Sequence, residues 1–242
     1  MPIESKPEPV SCDSRAVAPR VPQGSACRMV ALFLLALLPV VALCLLHAPV
    51  YAPDDFVQEL LARGQFQAAA SSLMPYTLVF VSAPLSALYQ LAPQVPWYAL
   101  MLLAMLVVSF WIAWSQLFSL GLSRARLVCL GAVLLSCEIV CVWYFTYTIV
   151  AFIVLAAGLM LIMPRAVFGD AGRPSLADIA GYVLVALGFS LRPESGVAAL
   201  ALFVPFLVWA LVRSRRAGTL LRAVAVVAVI AISYGAGQAA YR

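Results

Sequence analysis

Along the 242 residues, long apolar runs alternate with short polar breaks. The runs cover Met29 to Leu46, Trp97 to Phe118, Leu127 to Tyr144, Thr146 to Met163, Leu176 to Leu191, Gly196 to Val212 and Ala223 to Ala240. Each approaches the roughly 20 residues that a helix needs to cross the hydrocarbon core of a bilayer. Backbone groups in lipid must be satisfied within each span, and nothing in the pattern points to a barrel. The fold expected is all-α, a polytopic transmembrane bundle of about seven spans. Thr77 to Leu91 differs from the other runs. It is short, it holds Pro84 near its middle, and it runs into "APQVPWY", whose Pro93 and Pro96 stop any continuation.

The distribution of positive charge decides whether Thr77 to Leu91 crosses, because Lys and Arg favour cytoplasmic loops. Without a crossing there, twelve basic residues fall inside (Lys6, Arg15, Arg20, Arg28, Arg124, Arg126, Arg165, Arg173, Arg213, Arg215, Arg216 and Arg222), against Arg63, Arg192 and Arg242 outside. With a crossing, nine of the fifteen lie outside, Arg63 and eight that change side. Seven spans plus one embedded helix is therefore the expectation, with the N-terminus cytoplasmic. Residues 1–27 are rich in Pro, Ser and charge and are expected to form a disordered cytoplasmic tail. Residues 28–242 then form the helical domain, with 49–96 as an external loop carrying interfacial and embedded helices. The long tail and the many later spans make the first run a retained helix rather than a signal peptide.

That external loop holds "HAPVYAPDDFVQELLARGQF", almost the only acidic and well-punctuated passage in the chain. Asp54 and Asp55 open a short predicted helix in which Phe56, Val57, Leu60 and Leu61 share one face. Arg63 and Gly64 close it, as helix-end electrostatics and capping favour. An amphipathic helix in the outer interface is expected, its apolar face dipping into lipid or resting on the bundle. Two readings of the acidic pair stand side by side. The aspartates cap the helix, worth about 1 kcal/mol, or one of them faces a reaction site.

Composition agrees with the pattern: 65% of the residues are hydrophobic, 10% are charged, and the mean hydropathy is +1.04. The net charge of +5 sits in clusters between apolar runs, where membrane orientation explains it and no nucleic-acid partner is implied. The six cysteines have no framework spacing and read as reduced, structural residues. There is no Walker loop, dinucleotide fingerprint, HExxH or paired CxxC.

Other polar residues fall near the same predicted outer face. In "LRPES", Arg192 and Glu194 flank Pro193, either as a simple turn or as a phosphate site in which Glu194 holds the guanidinium. Glu138 lies in an apolar run, where a carboxylate is costly; it is either a hydrogen-bonded interhelical contact or a polar group of a donor pocket. Tyr144, Thr146, Tyr147 and Thr148 form an aromatic and hydroxyl cluster, read as a membrane-interface belt or as a sugar-stacking surface. His47, the single histidine, reads as a marker of the first span's boundary in preference to a catalytic base. "SLAD", Ser175 to Asp178, reads as a helix-capping start.

The sequence "PDDFVQELLARGQF", the following "YTLVFVSAPLSALYQLAPQVPWYALM", "YFTYTIVA" and "LRPES" together resemble the GT-C superfamily of membrane glycosyltransferases, and more narrowly bacterial membrane proteins of that type. The likeness runs from about Arg28 to Val212. It implies a bacterial inner-membrane protein of the cell envelope that transfers a sugar, hexosyl or pentosyl, from a polyprenyl-phosphate donor on the non-cytoplasmic face. By this likeness Asp54 or Asp55 is catalytic, and Arg192 stabilises the leaving phosphate. Glu194, Arg63, Glu138, Tyr144 and Thr146 are the further substrate-binding candidates. Some members of the superfamily use a divalent cation and others do not. Members are usually longer, so the chain is expected to match an N-terminal half. A non-catalytic homologue, or a transporter or lipid-handling protein, is the alternative.

Overall fold

The computed structural model describes residues 26–46, 52–65, 74–168, 175–214 and 217–240. Most of the expected tail, His47, Arg173, Arg215, Arg216 and Arg242 lie outside them. The described residues form nine helices and no strand: α1 (Ala26–Leu46), α2 (Pro53–Arg63), α3 (Val79–Leu91), α4 (Trp97–Ser119), α5 (Arg124–Trp143), α6 (Tyr147–Phe168), α7 (Leu176–Leu191), α8 (Pro193–Ser214) and α9 (Ala217–Ala240). Four of them, α1, α4, α5 and α9, are long and apolar enough to cross a membrane. In α6, α7 and α8 the apolar segments are shorter: Tyr147–Met163, Leu176–Leu191 and Pro193–Trp209. The described cysteines, Cys27, Cys44, Cys129, Cys137 and Cys141, are free.

Helix boundaries follow local chemistry. Gly64, at φ 77°, ends α2 by donating its N–H to the last-turn carbonyls, a left-handed conformation that glycine adopts without penalty. Pro96 precedes α4, and Ser175 starts α7 with the expected capping box: its hydroxyl accepts from the Asp178 N–H while Asp178 Oδ2 accepts from the Ser175 N–H at 2.9 Å. Pro193 disfavours helical backbone in the residue before it. Helix α7 therefore stops at Leu191, and Arg192 takes an extended conformation, φ −156° and ψ 105°, that carries its side chain off the helical path.

Helix α6 is the hub of the bundle, packed by α4, α7, α8 and α9. Its tightest seam is with α7. A Cβ placed on Gly158 would stand 2.6 Å from the Gly181 carbonyl oxygen, and one on Gly188 would stand 2.8 Å from the Ala151 carbonyl oxygen. Only glycine lets these two backbones come so close. Helix α1 packs on α4 and α5 through Leu32, Ala36 and Val40, one residue per turn of its inner face.

The two ends of this bundle differ. At one end Arg28 of α1 donates to the Phe118 carbonyl at the close of α4, at 3.0 Å, and Asp178 of α7 lies 4.0 Å from Arg222 of α9. The opposite end carries α2 and α3. The Leu78 N–H, just before α3, donates to the Ser190 carbonyl of α7 at 2.7 Å, and Tyr89 near the close of α3 accepts from the Tyr98 N–H of α4 at 2.9 Å. Both ends of α3 thus touch the same end of the bundle. Helix α3 lies across that end rather than running through the bundle.

Candidate functional site

Helix α2 is built inside out. Its buried residues are Asp55, Gln58, Glu59 and Ala62, the positions i, i+3, i+4 and i+7 of one helical face. Phe56 and Val57 instead point outward, 56% and 44% exposed. Of the two expected orientations for the apolar face, the structure has the one directed away from the bundle. The polar stripe is what packs inward.

Asp55 is fully buried. Its Oδ1 accepts from the Tyr98 hydroxyl of α4 and from the Tyr147 N–H of α6, both at 2.9 Å. Its Oδ2 has no partner. Helix α2 has Ala52 as its N-cap with no side-chain capping bond, so the Asp55 carboxylate serves tertiary contacts instead. Burial pushes its pKa up, opposed by the hydrogen bonds from Tyr147 and Tyr98 and the Ala52 contact, and raised further by Asp54 nearby. Asp54 itself is exposed.

One helical turn along α2, Gln58 accepts through Oε1 from the Thr77 hydroxyl at 2.9 Å, and that hydroxyl also lies 3.3 Å from the Leu191 carbonyl. The Gln58 side chain and the Tyr147 hydroxyl face each other as mutual, loosely aligned hydrogen-bond partners. Glu59 binds Arg63 and, at 3.4 Å, accepts from the Tyr89 hydroxyl, while Arg63 stacks 5.5 Å from the Tyr89 ring centroid. Arg63 therefore buttresses α2 against α3.

Arg192 meets the same residue, Tyr147, at its ring. Its guanidinium lies 4.8 Å from the Tyr147 ring centroid and 5.6 Å from that of Tyr76. It donates to the Thr148 hydroxyl and has Glu194 at 3.7 Å. Tyr76 holds φ 66°, a left-handed conformation unusual for a residue with a side chain. Such strain persists where surrounding contacts over-determine it, and here Thr77 and Leu78 are both tied to the end of α7. Beside Arg192 opens a groove of about 620 Å³ whose polar residues include Thr77 and Glu194, with Leu78, Phe189, Val227 and Ile230 among its apolar ones.

Of the sequence candidates, Asp55, Arg192 and Glu194 gather around Tyr147 and the groove. Glu138 and Tyr144 sit elsewhere. Glu138 is fully buried and accepts from the Trp114 indole N–H at 3.1 Å, an interhelical contact between α5 and α4. Tyr144 is 61% exposed after the last turn of α5, because the chain reverses there and only Phe145 turns inward. The Thr146 hydroxyl is spent on the start of α6, where it accepts from the Ile149 N–H at 3.3 Å. Within that cluster it is Tyr147 and Thr148 that reach the site. Gln58, Glu59, Thr77, Tyr89 and Tyr98 are further participants that the sequence reading passed over. The polar positions at helical spacing from Asp55 were a visible signal for the first two; nothing local marked the others.

These donors do not suit a divalent cation, which takes several oxygen ligands with few hydrogen bonds competing for them. Among the described residues no three His, Cys, Asp or Glu side chains gather, and Asp55 Oδ1 is already committed to two donors. No protein-family model, curated protein or solved structure matches this chain.

Proposed function

We propose that the chain is a GT-C-like membrane glycosyltransferase, or part of one, that takes a sugar from a polyprenyl-phosphate donor at the non-cytoplasmic face. The observation that carries this reading is one juxtaposition. A buried carboxylate with one free oxygen and an arginine beside a largely apolar groove both contact Tyr147, the first at its N–H and the second at its ring. The groove suits an isoprenoid chain, Arg192 suits its phosphate, and Asp55 suits the acceptor. Seven spans with α3 embedded fit the Lys and Arg count, which puts the Asp55 end outside.

In this reaction Asp55 Oδ2 takes the proton of the acceptor hydroxyl as its oxygen bonds to the anomeric carbon. The bond from that carbon to the phosphate oxygen breaks, and the polyprenyl phosphate leaves with the electron pair, its charge met by Arg192. Tyr98 and the Tyr147 N–H hold Oδ1, so that Oδ2 is the oxygen left for chemistry. The raised pKa of Asp55 makes it a stronger base than an exposed carboxylate.

A second reading is a lipid-phosphate binding protein without transfer. It is favoured by the complete burial of Asp55, which leaves no path for an acceptor in this conformation. Purified protein incubated with radiolabelled undecaprenyl-phosphate hexoses and pentoses separates the two. Transfer that disappears in Asp55→Asn at equal expression supports the enzyme. Donor binding without transfer in any acceptor extract leaves only the binding protein.

A further inference from the structure

Arg192 and Glu194 stand on either side of Pro193, and their side chains are held very differently. The Arg192 backbone is extended, the conformation that Pro193 favours in the residue before it. Its guanidinium donates to the Thr148 hydroxyl and lies against the rings of Tyr147 and Tyr76, 4.8 and 5.6 Å from their centroids. Only 25% of its side chain is exposed. Glu194 has the opposite character. Its side chain is 65% exposed, and it meets Arg192 through one oxygen, 3.7 Å from Nε. That separation is an ionic contact beyond hydrogen-bond range. The guanidinium is therefore placed by Thr148, the two rings and its own backbone, and Glu194 is not what holds it.

Position matters as much as strength. Of the two charged side chains, Glu194 is the one that lines the apolar groove, in company with Tyr76, Thr77 and Val197. A phosphate at the head of a chain lying in that groove meets the carboxylate before it meets the guanidinium. Two anions at one guanidinium repel each other, so the phosphate and Glu194 compete for the same charge. The carboxylate is free to give way. Exposed ion pairs are weak, and Glu194 belongs to the first turn of α8, where the helix N-terminus favours a carboxylate whether or not it faces Arg192.

We propose that Glu194 is the resting counter-ion of Arg192, exchanged for the phosphate of an incoming lipid and returned when that phosphate leaves. The proposal rests on the lipid-linked donor put forward above and adds regulation of the same site. Glu194 then acts with the sign opposite to that of a phosphate-binding residue, since it competes with the ligand. While the groove holds no lipid phosphate, the carboxylate keeps the charge of Arg192 matched. As the phosphate departs, the returning carboxylate disfavours its rebinding, so the site holds its ligand less tightly and exchanges it faster.

The test is binding of undecaprenyl phosphate, which carries no sugar, to the 242-residue chain in phosphatidylcholine nanodiscs. Glu194→Gln keeps the size of the side chain and removes its charge. It should bind the lipid about fivefold more tightly than wild type, the order expected when an exposed ion pair no longer competes. Arg192→Gln should weaken binding, and adding Glu194→Gln to it should bring no tightening, because the counter-ion acts through the arginine. Melting curves check the fold of each variant. Glu194→Gln alters an exposed side chain and decides the matter alone if the arginine variants fail to fold. Equal or weaker binding by Glu194→Gln overturns the exchange while leaving the phosphate site standing. Tightening that persists without Arg192 also overturns it, since Glu194 would then act on the ligand directly. Binding by neither wild type nor Glu194→Gln removes the lipid-linked reading itself, and the exchange with it.

Discussion

Two aspartates sit buried in the first turn of a helix, Asp178 in α7 and Asp55 in α2, and they are satisfied in opposite ways. Asp178 meets its own helix end: Oδ2 accepts from the Ser175 N–H and hydroxyl at 2.9 and 3.1 Å, while Oδ1 has Arg222 at 4.0 Å. Asp55 is bonded to helices 43 and 92 residues away and keeps one oxygen unpaired. A carboxylate that closes its own helix end is a local fitting. One held by two distant helices is committed to tertiary structure instead, and ties α2 to α4 and α6.

Exchange of these residues should expose the contrast. The largest effect is expected for Asp55→Asn, which should lower sugar transfer by about 10² to 10⁴ in rate if the carboxylate is the general base. Asp178→Asn should leave transfer near wild type. Equal losses in both would reduce Asp55 to a structural residue. Next comes Gly158→Leu, where the added side chain meets backbone at 2.6 Å; overpacking of this kind costs about 1–3 kcal/mol or more, read as a lower melting temperature and poorer yield.

Tyr98→Phe removes the donor that favours ionised Asp55, so its pKa should rise further. The acidic limb of the transfer pH profile should move to higher pH, and an unmoved limb would separate Tyr98 from the chemistry. Ser175→Ala removes half of the capping box at the other end, for about 1 kcal/mol. In a chain of this size that lowers the melting temperature by about 2–4 °C with no shift in the pH profile.

The smallest effect concerns stability against pH. The folded-state pKa of Asp55 is raised, so its protonated form is favoured on folding. That contribution is present below the ordinary carboxylate range and lost as pH rises through the raised value. Asp55→Asn, which keeps an acceptor for Tyr98 and Tyr147, should therefore melt above wild type at neutral pH. The difference should shrink on acidification, and a variant less stable than wild type at every pH would contradict the burial argument.

The same contrast explains what could be read from the chain alone. The capping box at Ser175 was legible because both partners lie within four residues, and so were the ends of α2, set by Pro53, the acidic pair, Arg63 and Gly64. The all-helical class followed from apolar runs bounded by Pro and polar breaks. The inward polar stripe of α2 was harder, because helical periodicity fixes which residues share a face but not which face meets protein when the alternative is lipid. Tyr98 and Thr77 were invisible for a different reason. Their roles come from tertiary contacts 19 to 114 residues long, and no local signal encodes those.

The glycine seam between α6 and α7 makes one side of this end of the molecule a single rigid block, to which α2 is joined by a smaller contact. Tyr147 and Thr148 start α6 and Arg192 follows the close of α7, so the backbone contact at Gly158, Gly181 and Gly188 locks the arginine and its aromatic platform into a single anvil. Asp55 rides on an eleven-residue helix held by hydrogen bonds and a few side chains. Any stroke that admits a ligand would lift the carboxylate while the arginine stays in place, and closure would bring the carboxylate back to a partner that had not moved.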